Sequence, residues 1–368
     1  MVGLFSVNAI AGACVPTTRT GPARQEWPWN AYLGTQRHDA ASLETLNPDP
    51  RPLWHVAVGR AVRGSPAVAE AIVAVGTADR NVALVDRSTG DLLWRSRVDG
   101  TIRAGPLLDG DRLYVASEGQ ADGRVYALRL RDGKVLWRAR AGSVVAPLAF
   151  DGAALFAGTE EGLALRIEPE RGQIQWRTQL EGAVRAAPVV TPQGVVVATT
   201  ADILYLLDQN TGTIRSHLEL PGTVIGTPAT DGRRLYMGTM NGLVVAIDLA
   251  SWMTVWDRSA GDAVYGAPAI VGDTLFVLAR DGRLWLIPVD APDSAISQPL
   301  GIVATAGPTP LASGVLVGSV SGEIVLVDPR SGEIRWRAQI AGPIEEPPLV
   351  YERQVVVVGG RGNIHTYR

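Results

Sequence analysis

Residues 81–97 read NVALVDRSTGDLLWRSR, and this stretch decides the fold of the chain. It contains two short runs rich in Val and Leu, separated by the turn Asp86-Arg-Ser-Thr-Gly90. Asp accepts hydrogen bonds from turn backbone and Gly adopts a positive φ, so the stretch predicts two β-strands joined by a tight turn. Two further apolar runs, residues 65–69 and 71–76, precede it. The whole unit therefore predicts a four-stranded antiparallel sheet.

The unit is repeated along the chain, and its first marker is the motif Gly-x-x-x-Trp. Complete copies end at Trp94, Trp137, Trp176 and Trp336. Trp54 and Trp256 lack the glycine, with Trp252 standing in its place before Trp256, and degenerate copies end at Ser216 and at about Ser297. The eight marked positions are 39 to 43 residues apart.

A proline that follows a Gly-containing turn is the second marker. It recurs 40 or 41 residues apart as Pro66, Pro106, Pro147, Pro188, Pro228, Pro268, Pro308 and Pro348. Two unrelated features thus give eight repeats. A period near forty with only strand patterns is typical of propeller blades rather than helical solenoids.

These repeats predict an all-β chain, an eight-bladed β-propeller of four-stranded antiparallel blades over residues 52–368. The last repeat ends at Arg368 without its own Trp strand, whereas the strand around Trp54 precedes the first blade. Residues 52–58 are therefore expected to form the outer strand of blade 8, because an open ring would expose sheet edges.

The N-terminal residues predict an export signal and a tether. Residues 1–14 read MVGLFSVNAIAGAC, and the small residues before Cys14 resemble a lipid-attachment box. Cys14 is the candidate lipidation site; a plain exported protein and a cytosolic protein are the alternatives. Residues 15–51 are predicted to form a tether and a lead-in, in which Trp27, Trp29 and Tyr32 are too apolar to remain in water.

Composition excludes several classes of site. The formal net charge is −3, which indicates no nucleic-acid-binding surface. A single cysteine excludes a disulfide within the chain and a Cys-based zinc site. With four histidines and no nucleophile elbow, P-loop or HExxH motif, the sequence predicts no metal, no cofactor and no catalytic residues. No apolar run is long enough to span a bilayer as a helix.

Residues 52–368 resemble the pyrroloquinoline-quinone-type propeller repeat, through the spaced proline, the Gly-x-x-x-Trp motif and the Asp-x-x-Thr-Gly turn. The resemblance implies that the repeated tryptophans dock between neighbouring blades. This gives a structural role to Trp54, Trp94, Trp137, Trp176, Trp256 and Trp336.

Two branches of that family imply different functions. The quinoprotein dehydrogenases are longer and use a vicinal disulfide and Ca²⁺, and the single cysteine rules that disulfide out here. The BamB branch, outer-membrane lipoproteins of the β-barrel assembly machinery, is similar in blade number, length and its one cysteine. The resemblance implies a non-catalytic scaffold that binds an envelope partner, such as a barrel-assembly factor, on the periplasmic side of the outer membrane or in the periplasm. A quinone-dependent dehydrogenase or a degenerate relative, and a generic binding propeller of another envelope complex, are the alternatives.

The residue three before each marker proline is expected at one mouth of the central channel. In blade order this ring reads Arg63, Arg103, Val144, Arg185, Ile225, Tyr265, Thr305 and Glu345. Arg63, Arg103, Arg185, Tyr265 and Glu345 are the candidate partner-binding residues. Glu345 is expected to neutralise Arg63, which leaves Arg103 and Arg185 to bind carboxylates or carbonyls of a partner. The alternative is a rim of solvated charges.

Overall fold

A computed structural model describes residues 44–119 and 122–368 of the protein. These residues form eight four-stranded antiparallel sheets arranged as an eight-bladed β-propeller, which confirms the predicted fold. In seven blades the four strands follow one another along the chain, from the channel to the perimeter. Among the described residues the single helical element is a 3-10 turn, η1, at Pro292–Ser294.

The first four blades occupy the N-terminal half of the ring. Their strands are β2 (Ala67–Val68), β3 (Ile72–Gly76), β4 (Asn81–Asp86) and β5 (Leu92–Arg97) in blade 1; β6 (Leu107–Asp109), β7 (Arg112–Ala116), β8 (Arg124–Arg129) and β9 (Val135–Arg140) in blade 2; β10 (Ala149–Phe150), β11 (Leu155–Gly158), β12 (Leu163–Ile167) and β13 (Ile174–Gln179) in blade 3; and β14 (Val189–Thr191), β15 (Gly194–Ala198), β16 (Ile203–Leu207) and β17 (Ile214–Glu219) in blade 4.

The other four blades complete the ring. Their strands are β18 (Ala229–Thr230), β19 (Arg234–Gly238), β20 (Leu243–Asp248) and β21 (Met253–Ser259) in blade 5; β22 (Ala269–Val271), β23 (Thr274–Leu278), β24 (Arg283–Pro288) and β25 (Ile296–Pro299) in blade 6; β26 (Thr309–Leu311), β27 (Gly314–Gly318), β28 (Glu323–Val327) and β29 (Ile334–Gln339) in blade 7; and β30 (Leu349–Tyr351), β31 (Gln354–Gly359), β32 (Asn363–Tyr367) and β1 (Pro52–Ala57) in blade 8.

The ring closes where β1 pairs antiparallel with β32, as the sequence predicts. In this register Trp54 lies opposite Thr366, and His55 lies opposite and stacked on His365, with ring centroids 5.7 Å apart. The pairing joins the two ends of the propeller, so no blade is left with three strands.

Arg87 of blade 1 reinforces this closure from the next blade. Its guanidinium lies 2.5 Å from a carboxylate oxygen of Glu352, donates to Gln354 Oε1 at 3.0 Å and stacks over the ring of Tyr351 at 4.6 Å. All three partners belong to blade 8, and the Arg87 side chain is only 12% exposed. Arg87 therefore clamps blade 1 to blade 8.

The core lies between the blades. Second strands such as β15 are buried over their whole length because both faces of the blade pack against neighbours. Outer strands such as β5 alternate between partly buried and exposed residues because adjacent blades diverge towards the perimeter. Within the described residues, eight hydrophobic clusters fill the interfaces; one combines residues of blades 4 and 5, such as Leu204 and Met237.

The two fixed residues of the Gly-x-x-x-Trp motif meet across the blade interfaces. Trp54 Nε1 of blade 8 donates to the Arg87 carbonyl at 2.9 Å, and Trp94 Nε1 donates to the Leu130 carbonyl at 2.7 Å. A Cβ on Gly90, whose φ is +81°, would lie 2.7 Å from the Trp54 ring. The motif glycine of each such blade therefore makes room for the tryptophan of the blade before it. The same arrangement recurs at Gly133 with Trp94, Gly172 with Trp137, and Gly212 with Trp176.

Among the residues that the structure describes, the other four interfaces lack this Gly–Trp contact, and two of them, between blades 4 and 5 and between blades 6 and 7, have a clear substitute. Blade 4 has Ser216 at the tryptophan position, and blade 5 has Trp252 at the glycine position, with a φ of +56°. Trp252 packs against the cluster between these two blades, so the indole comes from the turn instead of the strand. In blade 6 the strand register aligns Ile296, not Ser297, with the tryptophan position, and Gln298 Nε2 donates to the next turn at Arg330 O, 2.6 Å.

The residues just before the propeller pack against blades 7 and 8. Leu46 is buried, and its N–H donates to Ser313 Oγ at 3.2 Å. The carbonyl of Glu44 accepts from Ala312 N at 3.1 Å, and its carboxylate accepts from Glu352 N at 2.9 Å. The predicted signal segment and most of the predicted tether, with Cys14, Trp27, Trp29 and Tyr32, lie outside the described residues.

Candidate functional site: the mouth of the central channel

Two sets of loops form one mouth of the channel. The entry loops precede each innermost strand, and the turns between second and third strands lie beside them. Backbone hydrogen bonds join the two sets, such as Glu118 N to Thr101 O at 2.7 Å and Glu160 N to Ser143 O at 2.8 Å. Side chains from both sets line a central cavity of about 450 Å³.

The structure brings the five candidate partner-binding residues together. Arg63, Arg103, Arg185, Tyr265 and Glu345 all line this cavity, although they come from five different blades. The ring of entry-loop residues also contributes Ile225 and Thr305, as the marker prolines predict.

The ring predicted from the sequence is wrong at one position, in blade 3. Val144 is fully buried and its N–H donates to Ser117 O at 3.3 Å, whereas the next residue, Val145, lines the cavity. The entry loop of blade 3 is one residue shorter before Pro147, so counting back three positions from the proline selects the wrong valine.

The arginines at the mouth are paired differently from the sequence prediction. Arg185 binds Glu160 with two hydrogen bonds of 3.0 and 3.1 Å, and this carboxylate raises the pKa of the arginine. Arg103 Nη1 lies 3.6 Å from Glu118 Oε1. The two arginines expected to be available are thus the two that have carboxylate partners.

Arg63 and Glu345, by contrast, do not neutralise each other. Both are exposed at the rim, and within the described part of the chain no ion pair joins them. The glutamates that pair with arginine lie on the turns between second and third strands, which the proline count does not reach. Their signal in the sequence is a repeated offset: each follows a buried Ser or Thr, Ser117 or Thr159, at the end of a second strand.

The mouth has a charged sector and an apolar sector. The charged sector consists of the arginines and glutamates of blades 8 and 1 to 4. The mainly apolar sector, on blades 5 to 7, consists of Ile225, Met240, Tyr265, Val303 and Val320, and it includes one exposed charge, Arg280, on the turn of blade 6 between Met240 and Val320. Three of its members, Met240, Val303 and Val320, are 38 to 47% exposed.

Glu346 is a cavity residue that the sequence did not single out. Burial raises its pKa well above the usual range, and the adjacent carboxylate of Glu345 raises it further. The residue keeps some accessible surface because the cavity reaches it.

Known proteins resemble the chain over its whole propeller. A protein-family model described as outer membrane protein assembly factor BamB matches residues 40–143, 121–219, 201–295 and 294–367. The chain belongs to the BamB family. A BamB-family relative, the outer membrane protein assembly factor BamB of Bordetella pertussis, is 26% identical over 339 residues, which are 85% of this chain and 86% of the relative.

Solved structures show the same fold. The crystal structure of BamB from Moraxella catarrhalis superposes with a TM-score of 0.75 at 15% identity, over 87% of this chain and 99% of that one. The quinohemoprotein alcohol dehydrogenase of Comamonas testosteroni also gives a TM-score of 0.75 at 15% identity, over 95% of this chain and 81% of the enzyme. At these identities the likeness shows the fold alone. Within residues 44–119 and 122–368, no helix has the length and apolar character needed to cross a membrane.

Proposed function

We propose that this protein is a non-catalytic scaffold of the cell envelope that assists the assembly of outer-membrane β-barrel proteins. The observation that carries the proposal is the BamB-family match, which extends across all eight blades. The relative from Bordetella pertussis carries the name of an outer membrane protein assembly factor. The proposed location is the periplasmic side of the outer membrane, with Cys14 as the lipidated residue.

The mouth of the channel is the proposed contact surface for a protein partner. Its apolar sector offers exposed aliphatic side chains around an aromatic residue, Tyr265, and aromatic side chains in such a setting often carry much of the binding energy of an interface. The charged sector would form the polar rim of that interface.

The ion pairs order the arginine side chains without using all of their N–H donors. Glu160 holds Arg185 through Nε and Nη2, which leaves Nη1 for a carbonyl of the partner. A side chain that is already ordered loses less conformational entropy when it binds. Arg63, which has no carboxylate partner among the described residues, supplies a third cationic group at the rim.

Strand addition is a second proposed contact mode. Each outer strand pairs with one neighbour only, so its other edge has free backbone donors and acceptors. The outer strands of blades 1 and 2 also expose Leu93 and Leu136, at 50% and 44%. An extended apolar segment of a partner could add to these edges.

Affinity purification tests the proposal. The full-length protein is purified from detergent-solubilised envelopes and its partners are identified by mass spectrometry, beside Arg103→Ala/Arg185→Ala and Tyr265→Ala variants. Arg171→Ala/Arg330→Ala, which removes two exposed arginines on turns at the opposite face of the ring, is the matched control. We expect recovery of a barrel-assembly factor, weakened by the mouth substitutions and unchanged in the control.

Other outcomes contradict the proposal. Recovery of a different envelope complex without a barrel-assembly factor would assign the propeller to another binding role. Dye-linked alcohol oxidation by the purified protein with added pyrroloquinoline quinone and Ca²⁺ would show an enzyme instead of a scaffold.

A further inference from the structure

Blade 8 departs from the repeat at the residue two positions before the marker proline. Six other blades have glycine or alanine there: Gly64, Ala104, Ala186, Gly226, Gly266 and Ala306. The position is tight, since a Cβ on Gly226 or Gly266 would lie 2.8 or 2.2 Å from backbone of the next blade. Blade 8 has Glu346 instead, a long and ionisable side chain at a position that those six blades fill with small residues.

Glu346 lies in the channel without a partner. It lines the central cavity, and no hydrogen bond or ion pair joins it to another residue within the described ranges. Burial and the neighbouring Glu345 both disfavour its ionised form. A half-buried carboxyl that faces a cavity without a partner is poorly solvated, so its presence at a departure from the repeat indicates a ligand.

The other charges of the cavity leave an acidic excess at blade 8. Arg103 and Arg185 are bound to Glu118 and Glu160, and Arg63 lies exposed at the rim. Thr305, on the cavity wall one blade away, has a buried Oγ1 without a hydrogen-bond partner in the part of the chain that the structure describes. An unpaired carboxyl and an unpaired hydroxyl oxygen are both acceptors for N–H groups.

We propose that the central cavity binds an organic cation, an ammonium or guanidinium group, with Glu346 as its anionic partner and Thr305 Oγ1 as a further acceptor. The cavity of about 450 Å³ has the size of ordinary small-molecule sites. The cationic group can come from a free amine or from a basic side chain that a polypeptide inserts into the channel. The proposal is independent of the scaffold function, because it concerns the purified protein alone.

Calorimetric titration of the purified full-length protein tests this site. The probes are n-butylammonium chloride and, as the charge-reversed control of equal chain length, sodium butyrate. The variant is Glu346→Gln, and Glu333→Gln, which alters an exposed glutamate on a turn at the opposite face, is its matched control. We expect butylammonium to bind the wild type and Glu333→Gln alike, and to bind Glu346→Gln about tenfold more weakly or worse, because a charge-assisted hydrogen bond is lost.

The pH dependence is a second readout. A cation favours the ionised carboxylate, so butylammonium affinity should rise with pH in the wild type until Glu346 is fully ionised, and should rise less in Glu346→Gln, where only the other carboxylates titrate. The other charged groups lining the cavity, which are Arg63, Arg103, Arg185, Glu118, Glu160 and Glu345, are present in both proteins.

The remaining outcomes are decisive in either direction. Absence of binding, preference for butyrate, or equal binding of butylammonium to the wild type and Glu346→Gln would overturn the proposal. Tighter binding of Nα-acetyl-lysine amide than of butylammonium would support it with a polypeptide side chain as the source, whereas the reverse order would support it with a free amine.

Discussion

The exchanged pair at the interface of blades 4 and 5 permits a direct test of how the propeller is packed. Ser216 and Trp252 occupy the positions where the neighbouring interface has Trp176 and Gly212. The indole thus reaches the interface from the turn of blade 5 rather than from the strand of blade 4. The variants Trp252→Gly, Ser216→Trp and the double substitution form a complete cycle.

The magnitudes follow from burial and backbone geometry. Loss of a large aromatic side chain from a core costs about 3–5 kcal/mol, and we expect the lower end because Trp252 is only partly buried. Glycine at a φ of +56° recovers about 1–2 kcal/mol, so Trp252→Gly should cost about 1–2 kcal/mol net. Ser216→Trp forces a second indole into the occupied interface and should cost about 1–3 kcal/mol.

The double variant should restore the ordinary motif. The indole introduced on the strand of blade 4 would then meet the glycine introduced on the turn of blade 5, as Trp176 meets Gly212. Stability should therefore return to within about 1 kcal/mol of the wild type, and the interaction free energy between the two substitutions should be about 2–4 kcal/mol. Urea unfolding followed by far-UV circular dichroism measures it, with equal m-values as the condition for comparison.

The reverse cycle at the neighbouring interface is the control. Gly212→Trp alone places a side chain at a φ of +73° with its Cβ 2.6 Å from the Trp176 ring, and should be strongly destabilising. Addition of Trp176→Ser should recover much of that loss. If the effects at Ser216 and Trp252 add to within about 0.5 kcal/mol, the two residues do not compensate each other and the reasoning is wrong.

Three further predictions concern ionisable groups. Burial, with a smaller effect from stacked His55, holds the pKa of His365 below 6.5, so the folded state resists protonation and stability should fall as the pH drops below 6.5. In thermal melts, His365→Gln should lose this dependence of the melting temperature on pH, and an unchanged dependence would contradict the prediction. Arg87→Met should destabilise the ring by about 2–3 kcal/mol in urea because it breaks the blade 1 to blade 8 clamp, and a loss below about 0.5 kcal/mol would show that β1 closes the ring alone. Hydrogen bonds, first of all from the Thr211 backbone N–H, lower the pKa of Asp208 to about 2. The contribution of the Asp208 carboxylate to the stability of the fold is therefore present above pH 3.8 and lost as the pH falls through about 2. The stability difference between wild type and Asp208→Asn should close over that range in acid titrations, and a pH-independent difference would exclude this cause.

The sequence predicted where the candidate partner-binding residues lie, but not which of their charges form ion pairs. The spaced prolines placed Arg63, Arg103, Arg185, Tyr265 and Glu345 at one mouth, because every copy of a repeat puts the same offset at the same height. Pairing depends instead on how far long side chains reach between different loops. Arg185 of blade 4 binds Glu160 of the neighbouring blade 3, and their separation of 25 residues does not correspond to the length of the repeat.

Contacts between irregular repeats could not be predicted from the sequence either. Ser216 and Trp252 each look like a decayed motif when they are read along the chain. Only the packing of blade 4 on blade 5 makes them one exchanged pair. Glu346 likewise is an ordinary residue of an acidic dipeptide until the structure shows that it lines the central cavity without a partner among the described residues.

The sequence by itself determined the eight blades, the four strands of each and the closure of the ring through Trp54. The blades and strands depend on local physics, namely short apolar runs, turn residues with defined φ angles and a fixed repeat length, and the closure follows from the count of strands per repeat. The tertiary structure alone decided which charges at the mouth are neutralised and which carboxyl in the channel lacks a partner. Ion pairing and burial depend on distances between residues of different blades, and those distances exist only after the ring has closed.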